Sequence, residues 1–199
     1  PGGMVVAAGS EPATIVCNGM SYAARDARFC NSAIVCRVDE SLYGPGLFAG
    51  MEWQEQVEKR AWKPGGLAPA ALAEDFIKSR TSNVKPQGSY LPGVRSADFS
   101  ALLPSGLLTR LRSGLKCFEG ILREFNRDAI LIAPETRTSS PLRFLRDPDS
   151  QSCLGLSNLF VIGEGSGYSG GIISSAIDGY RLGRRIVRER GSSIISTSP

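Results

Sequence analysis

Five of the nine residues from Gly163 to Gly171 are glycine, and they follow the apolar run Leu159–Ile162. The order reads as strand, glycine turn, helix. Glycine permits positive φ and lets a ligand lie against bare backbone. A helix starting there offers unpaired N–H groups and a positive dipole end. Gly163, Gly165, Gly170, Gly171 and the backbone of Ile172 could therefore cradle a phosphate, another anion or the electron-rich edge of a flavin. Glu164 could accept hydrogen bonds from sugar or ribityl hydroxyls. A ligand-free strand-to-helix turn would use the same residues, so both readings stay open. No Gly-Lys-Ser/Thr follows, which excludes the phosphate loop of NTPases. Gly165-x-Gly167-x-x-Gly170 matches a dinucleotide fingerprint in form only, since it lies near the chain end rather than after a first strand.

Other residues could line a substrate pocket. Glu135-Thr-Arg-Thr-Ser-Ser-Pro141 offers Arg137 for an acidic group, with hydroxyls on Thr138, Ser139 and Ser140. The same hydroxyls could instead serve nearby backbone in a loop. Tyr168, inside the glycine loop, could shield a ring, donate a proton or pack over the loop. Asn18, Ser21, Tyr22 and Arg25 form a polar cluster that fits a solvent-facing turn better than a pocket. Glu52 and Glu55, and Asp147 and Asp149, read as solvated charges, and Trp53 and Trp62 as packing residues. Histidine is absent, which removes imidazole bases, Ser–His and Cys–His pairs and histidine metal ligands. The five cysteines form no CxxC and match no zinc spacing, so no metal site is expected and reduced thiols are the simplest reading.

The elements that must position these residues follow from periodicity. A chain of 199 residues with 42% apolar content buries a real core. Met4–Ala8 and Thr14–Cys17 predict a hairpin, with a turn at Asn18-Gly19 and a further β run over Ala33–Val38. Helices are expected near 47–62, 69–79 and 105–125. In the first, Leu47, Met51, Val57 and Ala61 would share a face, and in the second Leu72, Phe76 and Ile77 would point inward. Residues 79–95 read as a long connection. Ala129–Ala133, Leu142–Leu145 and Leu159–Ile162 predict strands. Ile173, Ala176, Ile177, Tyr180 and Val187 mark one side of the last helix. The net charge is +4, with many of its arginines near the C-terminus, where they suit the negative helix end. That distribution points away from nucleic acid. No apolar run is long enough to span a membrane.

Several segments, in order, resemble a family of FAD-dependent dehydrogenases from bacteria and plastid-bearing organisms. They are Pro1-Gly2-Gly3, Asn18-Gly19-Met20-Ser21, Asn31 to Val35, Leu47 to Glu52, Ser89-Tyr90 through Gly93-Val94, Glu135 to Pro141, and Gly163-Glu164-Gly165 through Gly171-Ile172. The resemblance implies an α/β flavoprotein: a substrate domain inserted in a Rossmann-like FAD domain. Residues 1–150 would be the substrate portion and 151–190 the closing strand, loop and helix of the FAD domain. The polar composition of 191–199 separately predicts a disordered tail. The resemblance implies that Gly163 and Glu164 lie by the ribityl–pyrophosphate region, and that Gly170, Gly171 and Ile172 face the pyrimidine side of the flavin. The family's first strand and GxGxxG turn are not in this sequence, so tight FAD binding is expected to need an N-terminal half, on the same or a separately encoded polypeptide. The expected activity is hydride transfer on an unspecified small molecule. The expected compartment is the cytoplasm, or a plastid if a transit peptide precedes Pro1. The rival expectation is a non-catalytic complementation module that has lost tight flavin binding.

Overall fold

In a computed structural model the protein is described at residues 2–9, 11–82 and 87–195, with side chains described to 189. The fold is α/β, and its contacts divide it into two units, residues 1–136 and 137–199. Residues 137–150, expected with the substrate portion, thus group with the glycine loop.

In the first unit, β1 (Gly3–Ala7) and β2 (Cys17–Ser21) pair antiparallel with Gly3 opposite Ser21. A hairpin forms, but its second strand is Cys17–Ser21 rather than the expected Thr14–Cys17, so Asn18-Gly19 lies inside that strand rather than at a turn. The Asn31 side chain lies close over Gly19: an added Cβ would sit 2.5 Å from the Asn31 amide oxygen, so a side chain there would have to displace it. Asn31 also donates to the Met20 carbonyl at 3.0 Å. Ala33–Val38 forms no strand. Ile34 packs on the core, but no neighbour supplies a ladder.

Asp39 caps the short α1 (Glu40–Tyr43) by accepting from the Ser41 amide at 3.1 Å. Helix α2 (Ala49–Ala61) buries Val57, Glu58 and Ala61. Leu47 and Met51, expected on that face, are 77% and 45% exposed. The buried stripe occupies only the last turns, where α2 meets the sheet. The Glu55–Lys59 pair closes at 2.6 Å.

A helix directly after Pro69 is not found. Ala68–Leu72 is β3, and α3 (Ala73–Ile77) follows at once. Alanine-rich Ala-Pro-Ala-Ala-Leu carries weak strand preference, and burial between two neighbours decides its state. β3 is the centre of a mixed sheet, parallel to β4 (Val94–Ser96) and antiparallel to β5 (Ile130–Ile132). Residues 83–86 of the expected long connection lie outside the described residues. After a single turn at Phe99–Ala101 comes α4 (Ser105–Ile121), which buries Leu107, Leu108 and Leu115. It ends where the Glu119 carboxylate accepts from the Glu124 and Asn126 amides, at 2.9 and 2.8 Å. The core joins α2, the sheet, Phe76, Phe99 and α4.

In the second unit, neither Leu142–Leu145 nor Leu159–Ile162 forms a strand. Leu159 and Ile162 are 42% and 38% exposed, against the expected burial. Their backbone bonds to other loop segments rather than to a ladder: the Cys153 amide donates to the Leu159 carbonyl at 2.8 Å, and the Phe144 amide to the Ser166 carbonyl at 3.1 Å. Helix α5 (Ile172–Ile195) is the long element. Residues 191–195, expected in a disordered tail, continue it, because extending a nucleated helix costs little; 196–199 lie outside the described residues. The apolar side marked by Ile173, Ile177, Tyr180 and Val187 is exposed, and among the described side chains of α5 the buried ones are Asp178 and Leu182.

Candidate functional site

The glycine loop is held from below by an ion pair that the sequence reading missed. Asp178, on α5, receives both guanidinium nitrogens of Arg146 at 2.9 and 2.7 Å. Both side chains are about 10% exposed. The same carboxylate accepts from the Gly163 amide at 3.0 Å and from Gln151 at 3.3 Å. Arg146 also donates to the Val161 carbonyl at 3.3 Å. The chain entering the loop is thereby tied to the second turn of the helix leaving it. The hydrogen bond from Arg146, then that from the Gly163 amide, holds the Asp178 carboxyl below its ordinary range against the opposing effect of burial. Bidentate pairing raises Arg146 in turn. A partly buried pair of this geometry is an orienting device.

A short turn, Glu164–Ser166, opens the loop. Ser166 is fully buried, and its hydroxyl donates to the Gly163 carbonyl at 2.6 Å. Gly167 is left-handed at φ 80°, and an added Cβ would lie 2.3 Å from the Leu142 carbonyl oxygen, so the chain can pass there only without a side chain. Arg143 donates to the Gly167 carbonyl at 3.0 Å. Its guanidinium and that of Arg146 lie over the Tyr168 ring, 4.9 and 4.1 Å from the centroid. Tyr168 thus packs as a cation–π platform in the loop, and 41% of it remains exposed.

Beyond Tyr168 the loop opens. Glu164, Gly165, Gly170, Gly171 and Ile172 are exposed, Ile172 to 88%. The space beside Gly165 is clear to 4 Å. The Gly171 amide donates to the Ser174 hydroxyl at 3.1 Å, which returns a bond to the Gly171 carbonyl at 2.9 Å. This uses one amide and leaves the face above Ile172 uncovered by the unit's side chains. Ser139 reaches the loop: its hydroxyl would lie 3.8 Å from a Cβ added at Gly170. Arg137 and Thr138 are exposed. Thus the structure brings Gly163, Glu164, Gly165, Tyr168, Gly170, Gly171, Ile172 and Ser139 into one local assembly. Its open side exposes backbone at the positive end of a helix, which favours an anionic group.

In the first unit, Asn18 and Ser21 stand exposed on β2, and the Tyr22 hydroxyl meets the Met4 sulfur at 2.7 Å. The Cys17 thiol is buried and is pushed up to about 12 by burial, with the Glu135 charge adding to it. Burial also raises Glu135 and Tyr90. Glu58, almost wholly buried, accepts from the Thr136 hydroxyl at 2.5 Å. Asp147 organises a turn, accepting from the Ser150 amide at 2.6 Å. Among the described residues, no group of three or more Cys, Asp or Glu side chains could hold a metal ion, and no helix is long and apolar enough to cross a membrane.

Residues 1–138 match the family described as FAD-dependent protein, C-terminal domain-like. An uncharacterized protein of Clostridium beijerinckii is 40% identical over 196 residues, which is 95% of this chain and 37% of that protein. The α/β fold and these matches define a class, the C-terminal region of an FAD-dependent protein. This chain belongs to that FAD-dependent C-terminal domain-like family. It spans little more than a third of the relative's length.

Arg146, Asp178, Arg143 and Ser166 escaped the sequence reading. Asp178 left one usable signal: an acid set among Ile177, Tyr180 and Leu182, on a helix whose other charges cluster further along.

Proposed function

We propose that this chain is the C-terminal part of an FAD-dependent oxidoreductase and contributes the flavin-side loop and part of a substrate pocket. One observation carries the reading: the ion-paired loop leaves Gly165, Gly170, Gly171 and Ile172 open at the positive end of a long helix, in a chain of an FAD-dependent family. The flavin, when bound, supplies the hydride chemistry. The helix start favours negative charge at the ring's pyrimidine edge. Gly163 and Glu164 serve the ribityl and pyrophosphate region, Ser139 and Tyr168 border the pocket, and Arg137 and Thr138 meet an acidic substrate. Tight FAD binding requires a polypeptide carrying a strand and GxGxxG turn.

The test is a visible absorption spectrum of the purified chain with FAD, alone and with such a polypeptide. The chain alone is expected to stay colourless after desalting, and the pair to turn yellow. Gly170→Val in the pair is expected to weaken FAD binding about tenfold or more by crowding the open face. Undiminished flavin in that variant would overturn the assignment of the loop.

A second reading is a non-catalytic module that complements another polypeptide. It draws on the exposed apolar stripe of α5, where Ile173, Tyr180 and Val187 are 72%, 65% and 70% exposed. A stable complex that never takes up flavin would favour it.

A further inference from the structure

A basic recess of about 510 Å³ lies within the first unit, inside the size range of ligand pockets. It uses none of the residues assigned above to flavin or substrate. Lys59 and Arg60 come from the last turn of α2, Trp62 and Lys63 from just beyond it, and Arg95 and Asp98 from β4 and the segment after it. Four cations therefore face one carboxylate. That carboxylate is already committed: Asp98 accepts from the Ser100 amide at 2.9 Å and its hydroxyl at 2.6 Å. Those two bonds hold it below its ordinary range.

Lys59 has an outside partner, Glu55, but both side chains are more than half exposed, so the pair restrains it weakly. Arg95 is fixed. Its Nη2 donates to the Ala61 carbonyl at 2.8 Å, at the end of α2. Its Nε is buried and has no hydrogen-bond acceptor among the described residues. The negative helix end explains cations in the last turn. It does not explain Lys63 outside the helix, or a partly buried arginine brought in from a strand and left with an unmet donor. Trp62 adds a flat, half-buried wall.

We propose that this recess binds a small molecule carrying at least two acidic groups, phosphate or carboxylate. The proposal does not rest on the flavin reading. Convergent cations from two elements fix the orientation of a multiply charged ligand, and a monovalent anion engages only part of the set.

Isothermal titration of the full chain with pyrophosphate, and separately with citrate, tests it. At least one probe is expected to bind, more weakly as salt is added. Arg60→Gln/Lys63→Gln, both exposed and outside the core, is expected to weaken that binding about tenfold or more, while Lys116→Gln/Arg123→Gln, which removes equal charge elsewhere, changes it by less than about twofold. Binding of pyrophosphate alone assigns a phosphorylated ligand, and binding of both assigns a general polyacid. No heat with either probe, or equal weakening in both double variants, overturns the proposal. Unchanged melting temperatures in the variants separate lost binding from lost folding.

Discussion

The two units are stabilised by different physics. Residues 1–136 enclose an apolar core in which Ala61, Ala68 and Ala70 are wholly buried and the Phe76 and Phe99 rings meet at 5.6 Å. In residues 137–199 the buried set includes Ser166 and Asp178 beside Cys153 and Leu182, while most of its isoleucines and leucines face outward. The first unit excludes water from hydrocarbon, whereas the second fixes a loop with a charged pair and hydrogen bonds. The contrast teaches that a loop built to leave backbone amides open draws its rigidity from polar contacts beneath it, because covering it with hydrocarbon would close it.

The sharpest way to break this contrast is Asp178→Ala. It leaves the Arg146 cation without its carboxylate and the Gly163 amide without its acceptor. The expected cost is about 3–5 kcal/mol, read as faster hydrogen exchange over residues 143–182 with residues 90–133 unchanged. Even exchange across both units would show the contrast to be mistaken. Leu115→Ala is the complement. It opens the apolar core and is expected to cost about 3 kcal/mol, read by urea denaturation, with the exchange pattern reversed. Gly167→Ala forces a side chain into a left-handed position against the Leu142 carbonyl, for about 1–3 kcal/mol, again confined to the second unit.

Acid sharpens the same point. Asp178 has a lowered carboxyl, so its contribution is present above the unfolded value of about 3.9 and is lost as pH falls from there through the folded value. Exchange in the second unit is expected to rise over that window in the wild type, and to show no such step in Asp178→Asn. The smallest effect is chemical. Buried Cys17, with its thiol pushed up to about 12, is expected to resist iodoacetamide at pH 8 while exposed Cys30 and Cys117 react. Mass-spectrometric mapping checks this.

How much was legible in the sequence divides along the same line. β1, α4, β5 and the last turns of α2 follow apolar spacing because the core rewards that spacing, whereas the second hairpin strand, exposed beyond Cys17, does not. β3 was misread as helix because alanine and proline carry no strand signal, and its state is set by neighbours distant in sequence. In the second unit the glycine loop was legible from composition alone. The apolar runs Leu142–Leu145 and Leu159–Ile162 predict strands that do not form, since their carbonyls and amides bond to other loop segments rather than to a ladder. On α5 the spacing of Ile173, Ile177, Tyr180 and Val187 marks one apolar side, whereas the residue turned inward is an aspartate whose partner lies far back in the chain. The basic recess escaped for the same reason, because Arg95 joins Arg60 and Lys63 only through the fold.

The central strand β3 carries almost no side-chain volume: Ala68, Pro69, Ala70 and Ala71 are all buried. Nearly every substitution at those alanines must enlarge the residue where nothing around it can yield. In a saturation library of this chain, that strand would appear as a blank column for growth, tolerating glycine or serine before valine. A region with so little chemistry of its own would thus be among the least free to vary.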